Sequence, residues 1–109
     1  MDKNSLTSLI QTICRLSAIA RESGLLALDE EWGERGEIED ELLEYGVSLI
    51  VDGVYGESLI ELMEAKAGDY FKTDEALLRK KIIIEGVLLL HDGEPTKSLE
   101  EKLFLHLGK

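Results

Sequence analysis

Apolar residues recur along the chain at the spacing of an α-helix. One face of the segment 4–28 carries apolar side chains at steps of three or four positions: Leu6, Ile10, Ile13, Leu16 and Ala20. This period predicts an amphipathic helix. Gly24 is a candidate interruption, because glycine costs about 1 kcal/mol relative to alanine inside a helix.

The same pattern predicts four further helices. They begin near residues 38, 57, 74 and 95 and end near Asp52-Gly53, Gly68, His91 and Leu107; the glycine-containing segment 32–37 reads as a loop. The residues expected to face inward are Leu42, Leu43, Val47, Leu49, Ile50, Leu77, Leu78, Ile82, Ile83, Val87 and Leu90, and the third helix carries the apolar residues Leu59, Ile60, Leu62 and Met63. At 109 residues, the chain has the length of one domain with one modest core. The sequence therefore predicts an all-α bundle of about five helices spanning 1–109.

Two stretches of the chain match without gaps at an offset of 40 residues. They are GVSLIVDGVYGESLIE (46–61) and GVLLLHDGEPTKSLEE (86–101), and each reads as helix, Asp-Gly stop, short loop and helix. Glycine suits the left-handed position that ends a helix. Ser58 with Glu61, and Ser98 with Glu101, have capping-box spacing, although Pro95 competes as the start of the last helix. This repeat indicates either duplication or the independent use of the same residues to end and begin helices.

The charge is strongly acidic and unevenly spread. The formal net charge is −11, and residues 29–66 hold thirteen acids against Arg35 and Lys66. Such a field repels phosphate backbones and anionic lipid, which disfavours nucleic acid and membrane surfaces as partners. A basic protein is the natural complement. The alternative is a solvated acidic face that only aids solubility.

Candidate catalytic or metal chemistry is weak. Cys14 is single and lies on the apolar stripe of the first helix, which predicts an inert core thiol. His91 and His106 have no second ligand at metal-binding spacing, and His91 is better explained as a cation at a helix C-terminus. The acids from Asp29 to Glu44 lack the spacing of a calcium loop. No cofactor and no metal are expected, and an enzyme is the disfavoured function.

Two sets of motifs carry a family resemblance. The strings LSAIARESGLLALDEE (16–31) and LLEYGVSLIVDG (42–53) closely resemble the large cytoplasmic loop of the flagellar motor stator subunit MotA, of the MotA/TolQ/ExbB proton channel family. RKKIIIEGVLLLHDGEPTKSLEEKL (79–103) resembles the cytoplasmic tail of that subunit. The resemblance thus divides the single domain into a loop-like part, 1–68, and a tail-like part, 74–109.

The sequence also departs from the family. In the family two transmembrane helices separate loop and tail, whereas here AKAGDYFKTDEALL (65–78) joins them and is too short and polar to span a bilayer. We therefore expect no membrane insertion and no ion conduction by this chain. A relative without its membrane part and a splice of cytoplasmic segments both fit the sequence. The resemblance implies a cytoplasmic location, at the inner-membrane face near the motor.

The resemblance also implies a partner and a contact site. In the family, a basic and an acidic residue flanking the GLLALE-type motif contact charged residues of the rotor protein FliG. By position these are Arg21 and Asp29, with Glu30 and Glu31 beside them. On a continuous helix the two charges would lie about 12 Å apart, with the apolar run 25–28 anchoring them to the bundle. The alternatives are a surface pair of Arg21 with Glu22 or another carboxylate, and a structural module that self-associates or docks elsewhere on the motor.

Overall fold

The helices begin and end close to the predicted positions. The computed structural model describes residues 3–29, 40–69 and 71–108, and their regular structure is entirely helical. The helices are α1 (Lys3–Ser23), α2 (Glu41–Val51), α3 (Gly56–Ala67), α4 (Asp74–Asp92) and α5 (Thr96–Phe104), followed by a 3₁₀ turn (Leu105–Leu107). The predicted all-α class is confirmed. The predicted loop 32–37 and the predicted start near residue 38 lie outside the described residues.

Side-chain caps fix the starts of two helices. The Asp40 carboxylate accepts hydrogen bonds from the Leu42 and Leu43 amides, at 3.0 and 3.4 Å, and so begins α2. The Thr73 hydroxyl accepts from the Ala76 amide at 3.1 Å and begins α4. These caps satisfy amides that have no partner within the helix.

The core surrounds α4, which packs against each of the other four helices. Most of the residues predicted to face inward are buried there, together with Leu9, Ile84 and Leu99. The prediction is wrong for Leu77, which is exposed, and two apolar residues of α3, Ile60 and Leu62, are exposed as well. On α3 the buried residues follow steps of four positions: Leu59, Met63 and Ala67. Because this stripe is narrow, Ile60 and Leu62 lie beside it and reach solvent.

The two sequence copies form helical hairpins, α2–α3 and α4–α5, with the same turn geometry. Gly53 and Gly93 have φ angles of 91° and 71°. In each turn the glycine N–H donates to the carbonyl three residues back, and the next N–H donates to the carbonyl five residues back. The predicted capping boxes are wrong: α3 and α5 begin after Tyr55 and Pro95, three residues before the serines. The Ser98 hydroxyl instead donates to the Glu94 carboxylate.

A glycine at the same position of each hairpin lets another helix pack closely. A Cβ on Gly46 would lie 2.6 Å from Met63 Cε and 2.8 Å from Val87 Cγ2 of α4. A Cβ on Gly86 would lie 2.9 Å from Ile13 Cδ1 of α1. Since α1 also packs on α5, it covers the second hairpin as α4 covers the first. The end of α1 is thereby held beside the turn of the second hairpin.

Candidate functional site

Residues 21–29, here called the α1 corner, form a bend between two helical segments. Gly24 has a φ angle of 88°, and its N–H donates to the Ala20 carbonyl at 2.8 Å. This left-handed residue ends α1, and residues 26–29 are helical again. The candidate interruption at Gly24 is therefore confirmed, because a left-handed glycine commonly ends a helix in this way, and residues 4–28 do not form one continuous helix. The spacing of about 12 Å between Arg21 and Asp29 assumed that continuous helix and no longer applies.

The apolar run of the corner is divided between core and surface. Leu28 is fully buried, and Leu25 is half-buried against the core. Leu26, in contrast, is 72% exposed, more than any other large hydrophobic side chain among the described residues. The prediction that the whole run anchors the corner is therefore wrong for Leu26. The bend at Gly24 turns this side chain outward, between the two candidate charges.

Arg21 links the corner to the second hairpin. Its Nη1 donates a hydrogen bond to the Gly93 carbonyl, the residue that ends α4, at 2.5 Å. The predicted alternative, a pair with Glu22 or another carboxylate, does not occur within the described residues. This bond positions the corner, and the side chain stays exposed to solvent. Arg21 is thus both a structural tie and a surface cation.

The acidic side of the candidate site is described only in part. Asp29 is exposed at the end of the described helical segment. Glu30 and Glu31 lie outside the described residues, as does most of the acidic stretch between Asp29 and Asp40. Arg21 and Asp29 are thus both exposed, one before and one after the bend at Gly24 in the chain.

The other candidate groups make local contacts. His91 lies in the last turn of α4, as predicted, with its Nδ1 3.1 Å from Asp92 Oδ1. Its ring stacks on the Tyr55 ring, with centroids 5.5 Å apart and planes 11° apart. The stacking did not follow from helical spacing, since Tyr55 comes from the other hairpin. His106 Nε2 lies 2.8 Å from Glu85 Oε1.

Cys14 is less buried than a core thiol, and its thiol has low reactivity. The thiol is half-buried and donates weakly to Glu100 Oε2 over 4.0 Å. Burial, and then the nearby Glu100 carboxylate, raise the pKa of the Cys14 thiol to about 11. Because the thiolate is the reactive form, this environment suppresses reaction. Among the described residues, no group of three or more histidine, cysteine or acidic side chains is arranged to hold a metal ion.

Comparison of the chain with protein-family models, with curated proteins and with solved structures finds no match. Across residues 3–29, 40–69 and 71–108, no helix combines the length and the apolar composition needed to cross a membrane. The resemblance to the stator family therefore rests on the short motifs alone. What the structure contributes is the bend at Gly24, with an outward leucine between Arg21 and Asp29.

Proposed function

We propose that this chain is a non-enzymatic flagellar motor module that contacts the rotor protein FliG through the α1 corner. The observation that carries the proposal is the exposure of Leu26 between two exposed charges of opposite sign, Arg21 and Asp29. The motif resemblance supplies the identity of the partner. The fold supplies a corner held by buried Leu28 and by the bond from Arg21 to the Gly93 carbonyl.

Magnitudes indicate which contact matters most. An exposed ion pair contributes about 0.2–1 kcal/mol, and salt screens it. Fully burying a leucine side chain contributes about 1.5–3 kcal/mol. Leu26 would therefore supply more of the affinity than either charge, while Arg21 and Asp29 would set orientation and rate of association. A contact of this kind is weak and reversible, as a rotor contact requires.

The test is binding to the C-terminal domain of FliG from the same organism, at low and moderate salt. Asp29→Lys should weaken binding mainly at low salt, and Leu26→Ser should weaken it about tenfold at both salt concentrations. Leu105→Ser is the matched control, because Leu105 is 66% exposed and lies at the far end of α5. Arg21→Glu also breaks the bond to Gly93, so its unfolding midpoint must be measured beside its affinity.

Two results would refute the proposal of rotor contact. One is the absence of binding at low salt. The other is binding that Leu26→Ser and Leu105→Ser reduce equally, since the corner would then have no special part. In either case the contact residues implied by the resemblance, Arg21 and Asp29, would be a family feature with no role in rotor contact.

The second candidate function is a structural module that self-associates. It is favoured by the exposed Leu105, which together with half-buried Phe104 lines a surface pocket at the end of α5. Sedimentation equilibrium over a range of concentrations tests it. Assembly that Leu105→Ser abolishes and Leu26→Ser leaves unchanged would favour this function over rotor contact.

A further inference from the structure

Three helix-ending turns lie next to one another at one edge of the molecule. They follow α1 at residues 24–25, α2 at 53–55 and α4 at 93–95. Arg21, before the first turn, donates to the Gly93 carbonyl in the third. His91, before the third turn, stacks on Tyr55 in the second. We call this row of turns, with Leu26 and the residues that join them, the turn edge.

A pocket of about 230 Å³ opens between the α1 corner and the end of α4. Its apolar lining comes from Ala20, Leu25 and Leu90, and its polar lining includes Arg21, His91 and Glu94. Pockets that enclose small-molecule ligands measure about 300–1,000 Å³. This pocket is smaller than that range and suits a single apolar side chain of a protein partner.

Two exposed apolar groups adjoin residues that line the pocket. Leu26 follows Leu25 directly and is 72% exposed, and Tyr55 is 65% exposed where it stacks on His91. Tyrosine is enriched among the residues that dominate protein interfaces, because it offers a large, rigid, amphipathic contact surface. The turn edge thus has a pocket and two exposed anchor groups, each next to one residue that lines it.

The charge of the turn edge selects the partner. Asp52 and Asp92 are exposed directly before the glycines of the second and third turns, and Asp29 is exposed at the end of the helical segment that follows the first. Arg21 keeps its positive charge while it donates to the Gly93 carbonyl, and the three aspartates outnumber this one cation. Opposed charge across an interface steers association and excludes like-charged partners. The complement of this edge is therefore a basic protein segment.

The α1 corner alone is too small for a specific complex. A standard interface covers about 800 Å² on each partner and involves about 20–30 residues. The nine residues of the α1 corner are too few for such a contact. Extension across Gly93 to His91 and Tyr55 enlarges the surface along one continuous edge.

We infer that the turn edge docks a basic protein segment that inserts one apolar side chain into the pocket between Leu25 and Leu90. The inference rests on the proposed function in treating the α1 corner as a docking surface. It adds Tyr55, His91 and Asp92 as contact residues. Leu26 and Tyr55 contact the inserted segment, and the exposed aspartates face its basic side chains.

The test is an NMR titration of the full chain with a basic helical peptide that carries a single central leucine. We expect saturable amide shifts at Leu25, Tyr55 and His91. The same peptide with serine in place of leucine should bind about tenfold more weakly. Asp92→Lys should weaken binding about two- to fivefold, whereas Glu101→Lys, the same charge change on α5, should have little effect. Unfolding midpoints of both variants confirm that they fold.

Three outcomes overturn the inference: equal binding of the leucine and serine peptides, equal effects of Asp92→Lys and Glu101→Lys, and shifts outside the turn edge. A parallel titration with the FliG domain separates this inference from the proposed function. If only the basic peptide binds, the rotor proposal fails and the docking edge stands. If FliG binding depends on Leu26 but not on Tyr55 or Asp92, the rotor proposal stands and the extended edge fails.

Discussion

Gly46→Ala is the sharpest test of the packing between α2 and α4. In an open helix this change would stabilise the protein by about 1 kcal/mol, because alanine is the better helix former. Here the new Cβ would lie 2.6 Å from Met63 Cε and 2.8 Å from Val87 Cγ2. Real Cβ atoms do not approach so closely, so the neighbours must move.

The two neighbours differ in how easily they give way. Met63 meets the new methyl with the end of a flexible thioether chain, which can adopt another rotamer. Val87 is β-branched and has one strongly preferred rotamer in a helix, so the backbone of α4 must shift. Overpacking of this kind costs about 1–3 kcal/mol, against a helix-forming gain of about 1 kcal/mol. We expect a net loss of about 0–2 kcal/mol.

Urea unfolding of a double-mutant cycle measures the effect. In a Val87→Ala background the obstructing methyl groups are absent, so Gly46→Ala should become neutral or stabilising. The coupling free energy should reach about 1–2 kcal/mol, within the range for residues in direct contact. Gly86→Ala should cost less, because the atom it approaches most closely is Cδ1, the flexible end of Ile13. A gain of about 1 kcal/mol from Gly46→Ala in the wild-type background would refute the close packing of α4 on the first hairpin.

Three further predictions concern single groups. The native Cys14 thiol, with its pKa raised from 9.0 to about 11, should react with iodoacetamide at pH 8 about 100-fold more slowly than the unfolded chain, as alkylation rates will show. Asp40→Ala should cost about 1–2 kcal/mol in urea unfolding, because it removes the α2 cap and the partner of Arg79; Asp40→Asn keeps a cap acceptor and should cost less. The pKa of the Glu94 carboxyl is lowered from its usual 4.5, first by the hydrogen bond from Lys102 and then by the one from Ser98. The stability that this carboxylate contributes is therefore present above pH 4.5 and is lost as the pH falls through the lowered pKa. Urea midpoints between pH 6 and 3 should therefore fall less steeply for Glu94→Gln than for wild type.

Helical periodicity was sufficient to predict the bundle because each helix buries one regular stripe. Leu6, Ile10 and Ile13 were placed correctly on one face of α1, and all three are fully buried. The same reasoning failed at Leu77 in the first turn of α4, and it could not place Ile60 and Leu62 of α3. Ile60 and Leu62 are apolar, and their spacing places them next to a buried stripe. Whether they are buried too depends on how wide a surface of α3 the neighbouring helices cover.

The candidate site was harder to predict because its shape depends on one backbone angle. The sequence identified Gly24 as a candidate interruption, and the apolar run after it read equally well as a core segment. The left-handed φ angle of 88° at Gly24 turns Leu26 out and Leu28 in. An available signal was the repeated use of glycine as a helix stop, at Gly53 and Gly93, which favoured the same role for Gly24.

Contacts between separate turns had no signal in the sequence. Tyr55 and His91 belong to different hairpins, and helical spacing gives no reason for them to stack. Their proximity follows from the packing of α4 on the first hairpin. Likewise, the bond from Arg21 to the Gly93 carbonyl follows from the packing of α1 on the second. The glycines of the core thus bring the helices together, and the glycines of the turns stop them at one edge.

This division separates folding from docking along the chain. The groups that hold the helices together are buried, as at Val87 and Leu28, whereas Leu26, Tyr55 and Asp92 project from the turns into solvent. Exposed side chains away from caps and buried networks usually change stability by less than about 0.5 kcal/mol when substituted. Substitution of these exposed side chains would therefore alter the proposed docking surface without repacking the bundle. Arg21 is the exception, because its guanidinium belongs to both the fold and the docking surface.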